Sequence, residues 1–378
     1  MSSDSLSPSR LISRLSHQPR HVLNGMISVS EPVKFSAIKR ISPSSIGFLD
    51  NLPLELLHFV LELLDFQSLS RVLRVSLRGK AAVESLHAYR ALIEFAPCAL
   101  RGLGMIGLIS YHSSATLYAT LQSSQCSSCR EFGAFLFLPT CVRCCYECLR
   151  RNQSLWVIPV ALAKKCFKLK QSHLKGAPIM RSVPGVYSVG HRISRLRCLR
   201  LISVRDTKEL AMTVHGSMEF MTELLAARPS AGTTEKALKD YYMHKFLIDA
   251  PFDPLQLNPS RVPSQGNTPA DDYCGMASIP FPSLFPDKTS ENGLWCRGCE
   301  WVFERYRLGK LTSHLISSLV PQAVDPFRFL LAMQHCWSKA EFLVHVKHCY
   351  GARKLVPELE ININDSHIYS RKYMTWTT

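Results

Sequence analysis

The sequence is short of acidic residues and has no long apolar run. Its 378 residues include 29 aspartates and glutamates against 45 lysines and arginines, a formal charge of +16. The longest charge-free stretch, Gly102 to Cys129, carries His112 and repeated serines and is too polar to span a bilayer. The N-terminal thirty residues carry serines and arginines but no apolar core of the kind a secretory signal needs. A glycine-rich phosphate loop, a nucleophile elbow and a helical His-Glu-x-x-His are also missing, which removes the usual signatures of nucleotide, acyl-transfer and metallohydrolase chemistry. The chain is therefore read as a non-enzyme, expected in the cytoplasm, the nucleus or both, with no membrane partner.

What remains is a globular composition, 46% apolar and 20% charged, long enough for two or three domains. Excess positive charge favours acidic partners without choosing among nucleic acid, membrane surface and acidic protein. Fourteen cysteines stand out. In a reducing compartment, paired cysteines point to metal rather than disulfides.

Along the chain, residues 1–46 read as a disordered basic, serine-rich tail, with thirteen serines and only Asp4 and Glu31 as acids; that composition overlaps with organelle transit peptides. Residues 47–95 carry helical apolar spacing. Leu52-Pro53 opens a first helix whose face carries Leu56, Val60, Leu63 and Leu64. Asp65 stops it and caps a second helix bearing Leu69, Val72, Leu73 and Val75. A third helix is expected from near Gly79 to Phe95. Residues 96–250 form a cysteine-rich region with basic stretches, and 251–290, with eight prolines, a loop or linker. Residues 291–355 read as a second ordered unit and 356–378 as a tail. The expected fold class is α+β, mainly helical.

The segment FLDNLPLELLHFVLELLDFQSLSRVLRVS, Phe48 to Ser76, resembles an F-box, the three-helix module that docks substrate receptors on the Skp-type adaptor of cullin–RING ubiquitin ligases. The match covers Phe48 to Leu92. The resemblance implies that Leu52, Pro53, Leu56, Leu57, Val60, Leu64, Leu69 and Val75 form the adaptor-facing surface and its supporting core. It implies a substrate-receptor subunit with an adaptor and a protein substrate as partners. Leu77, Arg78 and Gly79 depart from the bulky aromatic that many F-boxes place after the Val-Ser. The following CSSCREFGAFLFLPTCVRCCYEC is similar to a cysteine-rich region of many fungal F-box proteins.

Tetrahedral zinc takes four soft ligands, and a Cys-x-x-Cys turn presents two thiolates from one loop. Cys126 and Cys129 form one such turn, Cys141 and Cys144 a second, and Cys145 and Cys148 a third, six cysteines within twenty-three residues. Adjacent Cys144 and Cys145 point in different directions and do not share a metal. The resemblance to Arg-Cys-Cys-x-x-Cys favours Cys126, Cys129, Cys145 and Cys148, with Cys141 and Cys144 as the alternative closing pair. The intervening FGAFLF run is expected as a returning strand.

A second, dispersed set comprises Cys296, Cys299, His345 and Cys349. Ser338 and Glu341 read as a capping box and Gly351 suits a helix end, so His345 and Cys349 share a helical face, with Phe342 one turn earlier to shield a metal. This is similar to the helical half of a two-cysteine two-histidine zinc finger with its last histidine replaced, although the spacer is far longer. Four protein ligands at each set imply structural rather than catalytic zinc, two ions in all. A RING domain needs eight interleaved ligands, and after Cys148 the next thiol is Cys166, with no closing pair within reach.

Lys164, Lys165, Lys168, Lys170 and Lys175 form one basic run and Arg192, Arg195, Arg197, Arg200 and Arg205 another. They sustain an alternative reading, a zinc-stapled nucleic-acid-binding or regulatory protein. Against it, the runs lack the compact finger spacing that sets a helix in a groove.

Overall fold

The computed structural model describes residues 7–23, 25–29, 44–189, 191–195, 197–217, 223, 234–250, 252, 273–322 and 324–356. Helices dominate, with small sheets between them, so the class is α+β and mainly helical. Among the described residues no helix is long and apolar enough to cross a membrane.

The leucine-rich unit begins with a 3-10 turn, Gly47–Asn51, followed by helices Leu54–Glu62, Phe66–Val75, Leu77–Ser85 and His87–Phe95. Asp65 caps the second of these, accepting the Ser68 N–H at 2.9 Å, and Ser76 caps the third through the Gly79 N–H at 3.0 Å. Leu57, Leu61, Leu69, Val83 and Leu86 close its core. The single third helix expected over Gly79 to Phe95 is two helices. They break at Leu86, whose extended backbone makes it the N-cap of His87–Phe95. Leu86 is also buried in the core, so the apolar spacing runs across the break and hides it.

This unit is joined directly to the helices after it. The Ser114 N–H donates to the Leu64 carbonyl at 3.1 Å and its hydroxyl to the Glu62 carbonyl at 2.9 Å. Phe66 stacks on Tyr89 with centroids 5.7 Å apart. Helices Pro97–Ile106 and Ser114–Gln122 then lead into a three-stranded antiparallel sheet. Phe135–Phe137 lies between Val142–Cys144 and Ser278–Pro280, with Phe135 opposite both Cys144 and Pro280.

A second sheet has Arg200–Ser203 between Val157–Pro159 and Met180–Arg181. Its alternation feeds two cores: Val157, Met180 and Leu201 join the core of the cysteine-rich sheet, whereas Ile158 and Ile202 join a core with Phe167, Leu174 and Leu247. A third sheet has Leu294–Cys296 between Ser16–His17 and Cys336–Trp337.

That third sheet corrects the reading of residues 1–46 as a disordered tail. Pro8–Leu15 is a helix, and Ser16 and His17 pair with Cys296 and Trp295. Leu11 and Leu15, one helical turn apart, are sealed in a core with Phe342 and Val346. The loop expected over 251–290 is corrected in its last part. Ile279 and Phe281 are buried, and Pro280 sits on an edge strand, where its missing N–H costs no ladder bond. Residues 1–6, 24, 30–43, 251, 253–272 and 357–378 of the expected tails and linker lie outside the described residues.

The C-terminal unit contains helices Arg297–Arg307, Ser313–Leu319, Pro326–Ala332, Lys339–His348 and Tyr350–Leu355. The first and last cross at Gly298 and Gly351, so closely that a Cβ at either would collide with the other backbone.

Candidate metal centres

Cys126, Cys129, Cys145 and Cys148 bring their sulfurs within 4.8 Å of one another. Cys126 and Cys129 sit on a tight turn that Arg130 closes with a left-handed φ of 66° and an N–H to the Cys126 carbonyl at 3.0 Å. The strand pair Phe135–Phe137 and Val142–Cys144 returns the chain so that Cys145, at the N-cap of helix Tyr146–Arg151, meets that turn. Backbone N–H groups of Ser128 and Cys148 donate to the Cys126 and Cys145 sulfurs, each at 3.4 Å. Such bonds orient metal-bound thiolates.

The alternative closing pair falls away on geometry. Cys144 points across the sheet and donates to the Phe135 carbonyl at 3.7 Å, and Cys141 is buried alone, its thiol pushed up by desolvation. A divalent ion bonded to four thiolates at about 2.3 Å in a tetrahedron separates the sulfurs by about 3.8 Å. Cys129 and Cys145 stand 3.7 Å apart.

Cys296, Cys299, His345 and Cys349 form the second cluster, all buried and again within 4.8 Å. Cys349 lies 3.8 Å from Cys296 and from Cys299, and His345 Nε2 lies 3.2 Å from the Cys299 sulfur. The helix ends at His348, so Cys349 is its C-cap rather than a member of its face, and it also caps Tyr350–Leu355. Ser338 and Glu341 make the expected capping box. Phe342 is fully buried beside the cluster.

Both clusters share an electrostatic pattern. Thiol hydrogen bonds with Cys129, Cys145 and Cys148 push Cys126 well below the thiol range, and contacts with Cys126 and Cys129 push Cys145 and Cys148 up. Likewise Cys296 and Cys299 push Cys349 down, and the Cys296 and Cys349 contacts push Cys299 up. Several thiolates in so closed a space repel one another, and a cation among them removes that repulsion.

Sequence reasoning missed two supports. Arg143, only 2% exposed, donates to the carbonyls of Gly133 at 2.6 Å and Phe281 at 3.0 Å, and to those of Thr120 and Pro282, with its guanidinium 4.8 Å above the Phe281 ring. It fastens the first cluster's sheet to the segment after Pro280, and burial lowers its pKa to about 10. Its position inside the Arg-Cys-Cys run was the available signal. Trp337 stacks on His345 with centroids 4.5 Å apart and an interplanar angle of 20°, fixing the ring that carries Nε2. The available signal was its place just before the N-cap Ser338, from which an apolar side chain packs on the start of the helix that carries His345.

The eight residues of the leucine-rich unit divide by burial. Leu57 and Leu69 are buried, Leu52 and Leu64 half-buried, and Pro53, Leu56, Val60 and Val75 exposed. Val75 is 71% exposed and Leu56 54%. Phe48, Leu54, Phe59 and Leu63 are exposed as well, so the described residues carry a run of uncovered large apolar side chains from Phe48 to Val75. No protein-family model, no curated protein and no solved structure matches the chain.

Proposed function

We propose that the chain is a substrate-receptor subunit of an SCF-type cullin–RING ubiquitin ligase. The helices from Leu54 to Phe95 dock on a Skp-type adaptor, and the metal-stapled remainder holds a protein for ubiquitin transfer. The observation that carries this reading is the apolar face between Phe48 and Val75. Leu54, Leu56, Phe59, Val60 and Leu63 all lie on or just after one short helix and remain uncovered. Of these, Leu56, Phe59, Val60 and Leu63 recur at helical spacing on one side, and an uncovered apolar stripe is stabilised by a partner that removes it from water, at roughly 25 cal/mol per Å² buried. The resemblance of this segment to an F-box names that partner. The protein does no chemistry itself; it raises the effective concentration of substrate beside the charged ubiquitin carrier.

The metal in both clusters is taken to be zinc. Four-thiolate and three-thiolate–imidazole sets without an open position are its structural coordination types, and the sulfur separations fit its bond length. Reduced thiols of this kind suit the cytoplasm or nucleus.

Adaptor co-purification tests the reading. Leu56→Asp with Pro53→Ala alters only exposed side chains, so the unit stays folded while a carboxylate is buried unpaired at the docking face, at a cost of several kcal/mol. Adaptor capture is expected to disappear with metal content unchanged. Leu57→Asp, in the core, is expected to unfold the unit. Undiminished capture by the Leu56→Asp, Pro53→Ala protein would sink the proposal.

A further inference from the structure

Charge is distributed very unevenly along this chain. Thirteen of its 45 basic residues lie between Cys148 and Asp206, and none of its 29 acidic residues does, so this stretch carries +13 of the net +16. Its folded parts include the second sheet, the helix Val160–Cys166 with the turns after it, and the hairpin of Gly185–Val189 with His191–Arg195. Lys165, Lys168, Lys170, Lys175, Arg181, Arg197 and Arg200 are exposed there. Lys165 meets Asp240 at 3.5 Å. Among the described residues no carboxylate lies within ion-pair distance of the other six.

The register sharpens this. Arg181 and Arg200 are directly opposite on antiparallel strands, next to Met180 and Leu201, which turn to the opposite face into the core. The two guanidiniums therefore stand side by side on one face, and like charges in that position destabilise a sheet. The strand Met180–Arg181 is the outer one of its sheet. Aromatic residues of the stretch are buried: Trp156 and Phe167 are in the core and Tyr187 is 3% exposed. Forked cations pair with carboxylates as with phosphates, and the exposed ring beside the stretch, Tyr111 donating to the Ala177 carbonyl, is a single ring rather than the row of rings on which the bases of single-stranded nucleic acid stack.

We propose that this basic face, centred on Arg181 and Arg200, binds an acidic segment of a protein, rich in aspartate and glutamate. The role of that segment as substrate rests on the receptor reading; the binding itself does not.

The test uses the full chain with its metals, a poly-glutamate peptide and, separately, a DNA duplex of equal charge, followed by fluorescence anisotropy at 50 and 150 mM salt. The peptide is expected to bind, more weakly at the higher salt. Arg181→Gln with Arg200→Gln, Lys168→Gln and Lys170→Gln is expected to weaken it about 10- to 100-fold, since each exposed charge contributes modestly. Arg200→Gln alone is expected to raise Tm by about 1–3 °C by relieving the cross-strand repulsion. A second variant, Lys168→Gln with Lys170→Gln and Lys175→Gln, leaves the sheet untouched and is expected to weaken the peptide as well. Absence of peptide binding, binding unchanged in both variants, or tighter binding of the duplex than of the peptide overturns the proposal, the last in favour of a nucleic-acid surface. Adaptor capture measured on the same samples separates the two readings. Capture lost with peptide binding kept removes the receptor role alone, and capture kept with peptide binding absent removes the acidic-segment surface alone.

Discussion

The two four-ligand clusters use similar chemistry at very different chain separations. Cys126 to Cys148 spans 23 residues and is closed by one strand pair, whereas Cys296 to Cys349 spans 54 and gathers its ligands from a strand end, a helix start, a helix end and the residue after it. Chain entropy explains little of the contrast, because closing the longer loop costs only about 1 kcal/mol more. That is small beside the roughly 10 kcal/mol that structural zinc contributes to a small domain. The contrast lies in what else must be in position. The first cluster needs a turn and a hairpin, whereas the second shares its core with Leu11 and Leu15 from the other end of the chain.

The comparison can be broken from either side. The largest effect is expected for Cys349→Ser, which should release one metal per chain by elemental analysis. It should also remove hydrogen-exchange protection from residues 294–356 and, with them, from 8–17. Full protection of 8–17 in that variant would detach the N-terminal segment from the second centre. Cys129→Ser should also release one metal, but its loss of protection should reach residues 124–151 and the strand 278–280 and stop short of 8–17. A smaller effect is expected for Leu15→Ala, a core truncation worth about 2–5 kcal/mol locally. It should speed transfer of one metal to a chelator about tenfold and leave the other unchanged, so equal acceleration of both would erase the distinction. The smallest effect belongs to Cys141→Ser, which should keep both metals and lower Tm by a few degrees, whereas Cys145→Ser should lose one.

Much of this was legible because it is local. The Cys-x-x-Cys turns, the caps at Asp65 and Ser338 and the strand within FGAFLF follow from spacing over a few residues, whereas Cys145 and Cys148 were preferred to Cys141 and Cys144 by resemblance, and joining Cys296 and Cys299 to His345 and Cys349 bridges a long spacer. The segment at Pro8–Leu15 was hidden because its two buried leucines sit among serines and arginines, and what buries them lies some three hundred residues away. The strand Ser278–Pro280 was hidden by its proline, which is tolerable there only at a sheet edge, a property of the partner strand. Spacing marked Leu56 and Leu57 as equally apolar, but which of them faces the core is set by the neighbouring helices.

The glycine crossing has a consequence for the second cluster. Gly298 precedes Cys299 and Gly351 follows Cys349 by two, so main chain rests on main chain beside two of the four candidate ligands, whose sulfurs stand 3.8 Å apart. A methyl group at either glycine would have to part the two backbones and carry Cys299 away from Cys349. The four-residue arrangement thus depends on two positions that offer no ligand atom of their own.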